Sequence, residues 1–239
     1  MYPLFFLSAL LAEIIGTIAG FGSSTVFLPL ALLFLDFKTA LVLVAIFHIF
    51  GNISRVGFFK HGLDKRLIVK FGLPSVLLTL LGAMLVPYIS QDLLKVFLGI
   101  FLVIYAFISL WKDNLQVKPT TANTIIGGSL SGFLAGLIGT GGALRGAFLT
   151  AYKLPKEKYI ATAATIALAV DFIRLPVYIF QGFLNKEFYW YIPILLTLAV
   201  MGSYIGKQIV SIIPQHNFRK LVLVALILIG VKFIFDFVS

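Results

Sequence analysis

Apolar stretches of roughly twenty residues, the length of a membrane-spanning helix, follow one another along almost the whole chain and constrain its fold more than any other feature. Of the 239 residues, 60% are hydrophobic and 12% are charged, whereas a soluble domain has about 25% charged residues. A soluble fold of this length could not cover so much apolar surface. The sequence therefore predicts an all-α integral membrane protein with several membrane segments.

Ten apolar segments are predicted, at 2–20, 25–35, 39–59, 66–88, 93–111, 123–138, 144–153, 159–181, 187–207 and 218–238. The first could imitate a signal peptide, but it lacks a basic start and is interrupted by Glu13, so we expect a retained membrane segment. The second and seventh are too short for an upright span of about 20 residues. Each follows a glycine-rich break, so we expect segments one and two, and six and seven, to form broken or re-entrant helices.

The pattern of the first half recurs in the second. Residues 16–20 match residues 132–136, with glycine at both ends and alanine before the last glycine. Polar pairs at equal spacing also match: Asn52 with Arg55, and Asp171 with Arg174. Five segments in each half is an odd number, so the second half must enter the membrane from the opposite side. This predicts an inverted-topology repeat, a construction common among secondary transporters.

The predicted division is a first half at 1–111, a cytoplasmic linker at 112–122 and a second half at 123–239. Basic residues are unevenly shared between the two faces of this topology. One face receives Lys60, Lys65, Arg66, Lys70, Lys112, Lys118, Lys153, Lys156, Lys158, Lys207, Arg219 and Lys220, and the other Lys38, Lys95, Lys186 and Lys232. Because cytoplasmic loops carry the excess of Lys and Arg, the first face is predicted to be cytoplasmic and both termini to lie outside.

The glycine-rich breaks are the first candidate site. A helix broken at membrane depth leaves backbone groups that lipid cannot satisfy, so such breaks persist only where they are buried or line a wet cavity. The short helix after each break points its N-terminus, the positive end of its dipole, into that space. We predict that small residues there bind an anionic substrate: Gly22, Ser23, Ser24, Gly139, Thr140, Gly141 and Gly142. The alternative is that these glycines serve only close helix packing.

Two arginines inside apolar segments are the second candidate, since an arginine there costs about 2.5–3.5 kcal/mol on insertion scales. Periodicity groups them with other polar residues, and the predicted substrate-binding set is Asn52, Arg55, Asp171, Arg174 and Tyr178. Inversion places Arg55 toward the cytoplasm and Arg174 toward the outside, one near each mouth, where a guanidinium fork suits an oxyanion. The alternatives are that Arg55 snorkels to the interface and that Arg174 only pairs with Asp171.

Three residues are candidates for proton coupling. Glu13 and Asp171 are acids well inside predicted membrane segments, and either could carry a proton. His48 could titrate near neutral pH. Glu13 could instead pair with Arg55, and His48 could be a buried structural histidine.

Arg145, at the start of the short seventh segment, either attracts anions or only adds to the cytoplasmic positive charge, and the sequence does not separate these two roles.

No enzyme or cofactor motif is found. The chain has no cysteine and three scattered histidines, so cysteine-based zinc and iron–sulfur sites are excluded and no metal-ligand cluster is predicted. There is no nucleophile elbow and no P-loop. The net charge of +10 could suggest nucleic acid, but the cytoplasmic bias of basic residues explains it better. We predict no catalytic residue, no metal, no cofactor and no nucleic-acid partner.

The motifs at residues 19–24 and 135–142 resemble those of the TauE/SafE sulfite exporter family, also called the toluene-sulfonate uptake permease family. Segment number, chain length and the repeat are also similar over essentially the whole chain. The first motif carries Ser23-Ser24 where the family often has more glycine. The resemblance implies a bacterial or archaeal inner-membrane permease for sulfur-containing anions such as sulfite or organosulfonates, a secondary transporter without a bound cofactor.

The sequence therefore predicts a secondary transporter of small anions that works by alternating access in the lipid bilayer, with protons as a candidate coupling ion. The alternatives are an anion channel and a transporter of an uncharged solute or a metal cation. A membrane-embedded enzyme or accessory subunit would need a catalytic cluster that the sequence lacks. The direction of transport and the oligomeric state, a homodimer included, are left open.

Overall fold

The computed structural model describes residues 2–20, 22–59, 62–111, 117–210 and 215–238. This part of the chain forms ten α-helices and no strand: α1 Tyr2–Ala19, α2 Ser24–Ala31, α3 Phe37–Phe58, α4 Lys65–Leu85, α5 Gln91–Trp111, α6 Thr121–Ile138, α7 Gly142–Leu149, α8 Lys156–Phe180, α9 Tyr191–Val210 and α10 Gln215–Val238. Some residues used in the sequence predictions lie outside the described ones, namely Lys60, the linker residues 112–116 and the side chain of Arg219.

Six of the described helices are long and apolar enough to cross a membrane: Phe37–Phe58, Lys65–Tyr88, Gln91–Trp111, Thr121–Ile138, Lys156–Phe180 and Tyr191–Val210. The apolar stretch Pro3–Ala19 of α1 is slightly shorter. Many large apolar side chains on these helices face outward, such as Leu73, Leu77 and Phe107, as expected for a surface in contact with lipid. The predicted all-helical membrane protein with several spans is confirmed.

The two shortest α-helices, α2 and α7, have eight residues each and follow the two glycine-rich breaks. At the first break the chain leaves the helical region through Gly20 and Gly22, with φ of +75° and +87°. At the second, Gly139 has φ of +73°. Side chains rarely adopt this left-handed region, whereas glycine does so readily. The glycines at these positions therefore end α1 and α6 in the interior of the molecule.

The helices of residues 2–111 and those of residues 121–238 make equivalent contacts. Helix α1 packs on α9 as α6 packs on α4, and α3 packs on α9 as α8 packs on α4. Helix α3 also packs on α8, and α5 on α10. If each helix of α1–α5 is exchanged with the helix five places later, α1 with α6 and so on, the set of main contacts stays the same. Helices α3 and α8, which pack on each other, carry most of the polar residues discussed below.

The contact between α4 and α6 depends on glycines that have no part in the breaks. A Cβ atom on Gly132 would lie 2.0 Å from the backbone oxygen of Ser75, and one on Gly136 would lie 2.1 Å from that of Thr79. The hydroxyl of Thr79 donates to the Gly132 carbonyl at 3.0 Å. Small residues allow such close approach of membrane helices. The packing interpretation therefore holds for the glycines of α6 before the break.

Replacing Gly132 with alanine is expected to lower the apparent Tm of the detergent-purified protein by about 5 °C. The added methyl group meets backbone that cannot turn away, overpacking costs about 1–3 kcal/mol, and each kcal/mol shifts Tm by about 2–4 °C at this chain length. Gly57→Ala is the matched control, because a Cβ there meets nothing within 4 Å. Equal Tm values for the two variants would contradict the close α4–α6 contact.

Candidate functional site

The two helix breaks meet each other in the interior. The hydroxyl oxygens of Thr25, in the first turn of α2, and Thr140, just before α7, are 2.9 Å apart. Ser23, Ser24 and Thr140 are buried, as are the break glycines that the sequence assigned to the site: Gly22, Gly139, Gly141 and Gly142. Within the described residues, neither N-cap position, Ser23 of α2 or Gly141 of α7, has a side-chain capping hydrogen bond. The start of α2 and the start of α7 thus lie together, away from the lipid-facing surface.

A buried ion pair joins α1 to α3. The Arg55 guanidinium donates to Glu13 Oε1 through Nη2 at 2.7 Å and through Nε at 3.1 Å. Its remaining donors reach Asn52 Oδ1 at 2.8 Å and the Ser23 hydroxyl at 3.1 Å. Ser203 on α9 adds a hydrogen bond to the same Glu13 oxygen at 2.6 Å. Arg55 is 4% exposed, so it pairs with Glu13 and does not snorkel.

A second buried ion pair fixes the end of α6. The Arg174 guanidinium lies 2.8 Å from Asp171 Oδ1 and donates to the carbonyl oxygens of Ala135 and Gly139 at 3.0 and 2.7 Å. The Tyr178 hydroxyl donates to the Gly136 carbonyl at 2.6 Å. A helix leaves its last four carbonyls without intrahelical partners. Arg174 and Tyr178 supply partners for the carbonyls of Ala135, Gly136 and Gly139, at a depth where lipid cannot.

Asp171 connects the two ion pairs. Its Oδ2 accepts a hydrogen bond from the Asn52 amide at 3.0 Å and lies 2.9 Å from His48 Nδ1. Sequence analysis placed Arg55 and Arg174 toward opposite mouths, which stays a prediction, and the pairing of each arginine with a carboxylate, given there as an alternative, is what the structure has. Because α3 packs directly on α8, both arginines belong to one network in which each carries its own carboxylate.

Arg145 differs from the other two buried arginines. It lies in the first turn of α7 and is 4% exposed, yet within the described part of the chain its guanidinium makes no hydrogen bond or ion pair. A buried charge without a partner is costly, so a molecule that supplies negative charge would be stabilised here. The sequence analysis left its role undecided, because residue spacing does not indicate which cations have counter-charges.

Two small cavities share Arg145 as a wall. The His48 cavity is lined by Ser24, His48, Gly142, Arg145, Asp171 and Arg174, among others. The Thr17 cavity is lined by Thr17, Gly20, Gly22, Arg55, Arg145 and Ala164, among others. Each has about 10 Å³ of water-accessible volume, room for about one water molecule. An oxyanion larger than water would need the surrounding helices to move apart.

Polar atoms without partners lie on the walls of both cavities. Among the residues the structure describes, His48 Nε2 in the His48 cavity and Thr17 Oγ1 in the Thr17 cavity are buried without a hydrogen-bond partner. The carboxylate oxygen Glu13 Oε2 also lacks a partner, but Glu13 lines neither cavity. The missing side chain of Gly22 leaves space beside His48 and Arg145: a Cβ there would lie 3.0 Å from His48 Nε2 and 3.5 Å from Arg145 Nη2. Buried polar groups usually find a partner. The Thr17 hydroxyl and the His48 nitrogen, which lack partners and lie on cavities that Arg145 also lines, therefore indicate where a polar ligand would be bound.

The fold and this polar interior define a helical membrane protein with several spans, in which charged residues are kept away from lipid around a buried centre, as in membrane transporters. The sequence model of the sulfite exporter TauE/SafE family matches residues 5–233. The chain belongs to this family, and the predicted resemblance is confirmed.

A protein of Methanocaldococcus jannaschii described as a probable membrane transporter is 25% identical to the chain over 255 aligned positions, covering 98% of this chain and 95% of the relative. No solved structure matches the chain. Family and relative together identify a membrane transporter and not an enzyme. In the described ranges no group of three or more His, Cys, Asp or Glu side chains could hold a metal ion.

Replacing Glu13 with glutamine is expected to lower the apparent Tm by about 10 °C. The change leaves Arg55 buried without its counter-charge, which costs about 3–5 kcal/mol, and Tm shifts by about 2–4 °C per kcal/mol. Lys232→Gln, which breaks the exposed pair with Asp236, is the control and should change Tm by less than about 3 °C. A Glu13→Gln protein as stable as this control would mean that the ion pair does not hold α1 to α3.

Proposed function

We propose that the protein is a secondary transporter of small anions, with sulfite or an organosulfonate as substrate, and that the substrate binds beside Arg145 between the two helix breaks. The observation that carries this proposal is a buried guanidinium with no partner among the described residues, next to two uncapped helix N-termini. A guanidinium presents a planar fork of donors that fits an oxyanion. Helix N-termini add N–H groups and a positive dipole end.

The predicted substrate-binding residues divide into two roles. Gly22, Ser24, Gly141 and Gly142, with Arg145, lie at the cavities and helix starts, so they are the proposed substrate ligands. A second group keeps the breaks in place, because its polar atoms are engaged with each other and with the backbone: Asn52, Arg55, Asp171, Arg174 and Tyr178. Thr140 holds the two breaks together through Thr25.

Two features support alternating access. The two halves make equivalent contacts, which supports an inverted repeat whose halves rock against each other around a fixed site. The cavities beside Arg145 are too small for an oxyanion, so binding requires the surrounding helices to move apart, as in alternating access. We favour a transporter over a channel because the family and the relative are transporters. The excess of basic residues on one face supports a cell-membrane orientation with that face in the cytoplasm and both termini outside.

The charge of the site selects the substrate class. A metal cation would be repelled by Arg145, and an uncharged solute would leave the guanidinium without a counter-charge. Sulfite and sulfonates supply that charge and present oxygens in the arrangement that a guanidinium binds. Membership of the sulfite exporter TauE/SafE family is consistent with this choice.

Of the three candidate proton carriers, His48 is best placed for coupling. Its Nε2 has no partner in the described part of the chain, and its ring lines the cavity that holds Arg145. A proton on His48 would add a second positive charge beside Arg145 and favour anion binding. The proton and the anion would then cross together. Glu13 and Asp171 are held by arginines, so they are less suited to exchange protons during transport.

Arg145→Gln is expected to reduce sulfite uptake into proteoliposomes about tenfold or more. The change removes charge-assisted hydrogen bonds worth about 1.5–3 kcal/mol each, and about 1.4 kcal/mol corresponds to a factor of ten. Its Tm should match or exceed that of the wild type, because no described residue pairs with Arg145. Arg66→Gln, at an exposed position of α4, is the control for loss of one positive charge. Wild-type uptake by Arg145→Gln would remove Arg145 from the mechanism.

Sulfite is expected to raise the apparent Tm of the wild-type protein and not that of Arg145→Gln. Ligand at about 100 times its Kd stabilises the folded state by about 2.7 kcal/mol, a shift of about 5–10 °C. Organosulfonates, carboxylates and divalent metal chlorides serve as comparisons in the same assay. Stabilisation by metal chlorides, but not by sodium sulfite or sodium chloride, would contradict an anion site.

A further inference from the structure

We propose that the Thr17 cavity is a second anion subsite, nearer the cytoplasm than the His48 cavity, and that Tyr159 closes it in this conformation. The inference rests on the proposed function for the direction of the path. Its chemistry rests on Arg145, Thr17 and the glycines of the first break.

The two cavities are stacked along α8. Ala163 and Ala164 line the Thr17 cavity, and Val170 and Asp171 line the His48 cavity. Seven residues of helix correspond to about 10 Å, so the cavities are separated by roughly that distance along the helix axis. Helix α8 begins at Lys156, next to a basic loop on the proposed cytoplasmic face. The Thr17 cavity therefore lies between that face and the central site.

The walls of the Thr17 cavity suit an oxyanion. Arg145 contributes an unpaired guanidinium, and the Thr17 hydroxyl is buried without a partner among the described residues. Both groups can donate to an anion's oxygen atoms, whereas the Arg55 donors are engaged by Glu13, Asn52 and Ser23. The cavity is thus a cationic site with one free hydroxyl donor.

Two carbonyl oxygens at the end of α1, in residues that line the Thr17 cavity, have donors of their own. The Gly16 carbonyl accepts from the Gly20 amide at 3.1 Å. The Gly20 carbonyl accepts from the Tyr159 hydroxyl at 3.0 Å. The partial negative charges of these two carbonyls are therefore partly compensated, and Arg145 is the charged residue of the cavity wall that has no described counter-charge, since Arg55 is paired with Glu13.

Tyr159 covers the first break. Its ring lies 2.9 Å from where a Cβ on Gly20 would be, and its hydroxyl bonds to the carbonyl of the same residue. Tyr159 is in the first turns of α8, so a shift of this end of α8 away from α1 would withdraw the ring. Such a shift would open the Thr17 cavity toward the basic loop while the Thr25–Thr140 contact of the two breaks is kept.

The absence of cysteine from the chain makes a direct test available. Ala164→Cys places a single thiol in the Thr17 cavity. In inside-out vesicles this thiol is reacted with two membrane-impermeant methanethiosulfonates of similar size, one ending in a sulfonate and one in a trimethylammonium group. Each rate is divided by the rate at Ala122→Cys, an exposed position at the start of α6, which corrects for intrinsic reactivity and for surface charge.

The normalised rate is expected to be about tenfold higher for the sulfonate reagent than for the ammonium reagent, because a buried positive charge attracts one and repels the other. Adding Arg145→Gln should abolish this preference, and Arg145→Lys should retain part of it. Adding Tyr159→Ala should raise both rates. Tyr159→Phe keeps the ring and loses the hydrogen bond, so it should raise both labelling rates less. It replaces Tyr159→Ala in the test if the alanine variant does not fold.

Equal normalised rates for the two reagents, or no labelling of the Ala164→Cys thiol in any of these variants, would overturn the second subsite. Faster labelling from the outside in right-side-out vesicles would also overturn it. These results are separate from transport. A charge preference without sulfite uptake would support the second subsite and reject the proposed function. Sulfite uptake without a charge preference would support the proposed function and reject the second subsite.

Discussion

Backbone groups that lipid cannot satisfy are the constraint on which the interior depends. Helix α6 ends in the middle of the molecule, and its last carbonyls need donors that water would supply in a soluble protein. Arg174 and Tyr178 provide them. A buried arginine then requires a carboxylate, which is Asp171, and Asp171 in turn accepts from Asn52 of the other half. The break, the arginine and the acid are therefore one structural unit.

The charges of the buried centre do not cancel. Glu13 and Asp171 contribute two negative charges to the buried centre, and Arg55, Arg174 and Arg145 contribute three positive ones. With His48 neutral, the difference is one positive charge, which belongs to Arg145. A singly charged anion, such as the proposed organosulfonate, would make this buried centre neutral. In the proposed site, Arg55 and Arg174 hold the structure around the cavities, and Arg145 binds the anion.

Several features could be read from the sequence because they are local. Segment length and hydropathy predict the spanning helices, and glycine clusters predict where α1 and α6 end. Pairing of Glu13 with Arg55 was foreseen only as an alternative, since helical periodicity gives the face of a residue and not the helix opposite. The role of Arg145 could not be predicted for the same reason, because being unpaired depends on every neighbouring helix. Thr17 and Tyr159 carry no sequence signal that distinguishes them from ordinary helix residues.

Sharing one cation between two cavities has a consequence for transport rate. A site must bind its ion strongly enough for the ion to leave water and weakly enough for it to leave the site. Two separate cations would each hold an anion, and movement between them would require one full dissociation. In the path that we propose, Arg145 is a common wall, and an anion would keep one guanidinium contact while it exchanges the helix starts of the His48 cavity for the Thr17 hydroxyl. The same charge would stabilise the intermediate position, so we expect the barrier between the proposed subsites to be lower than the barrier to release.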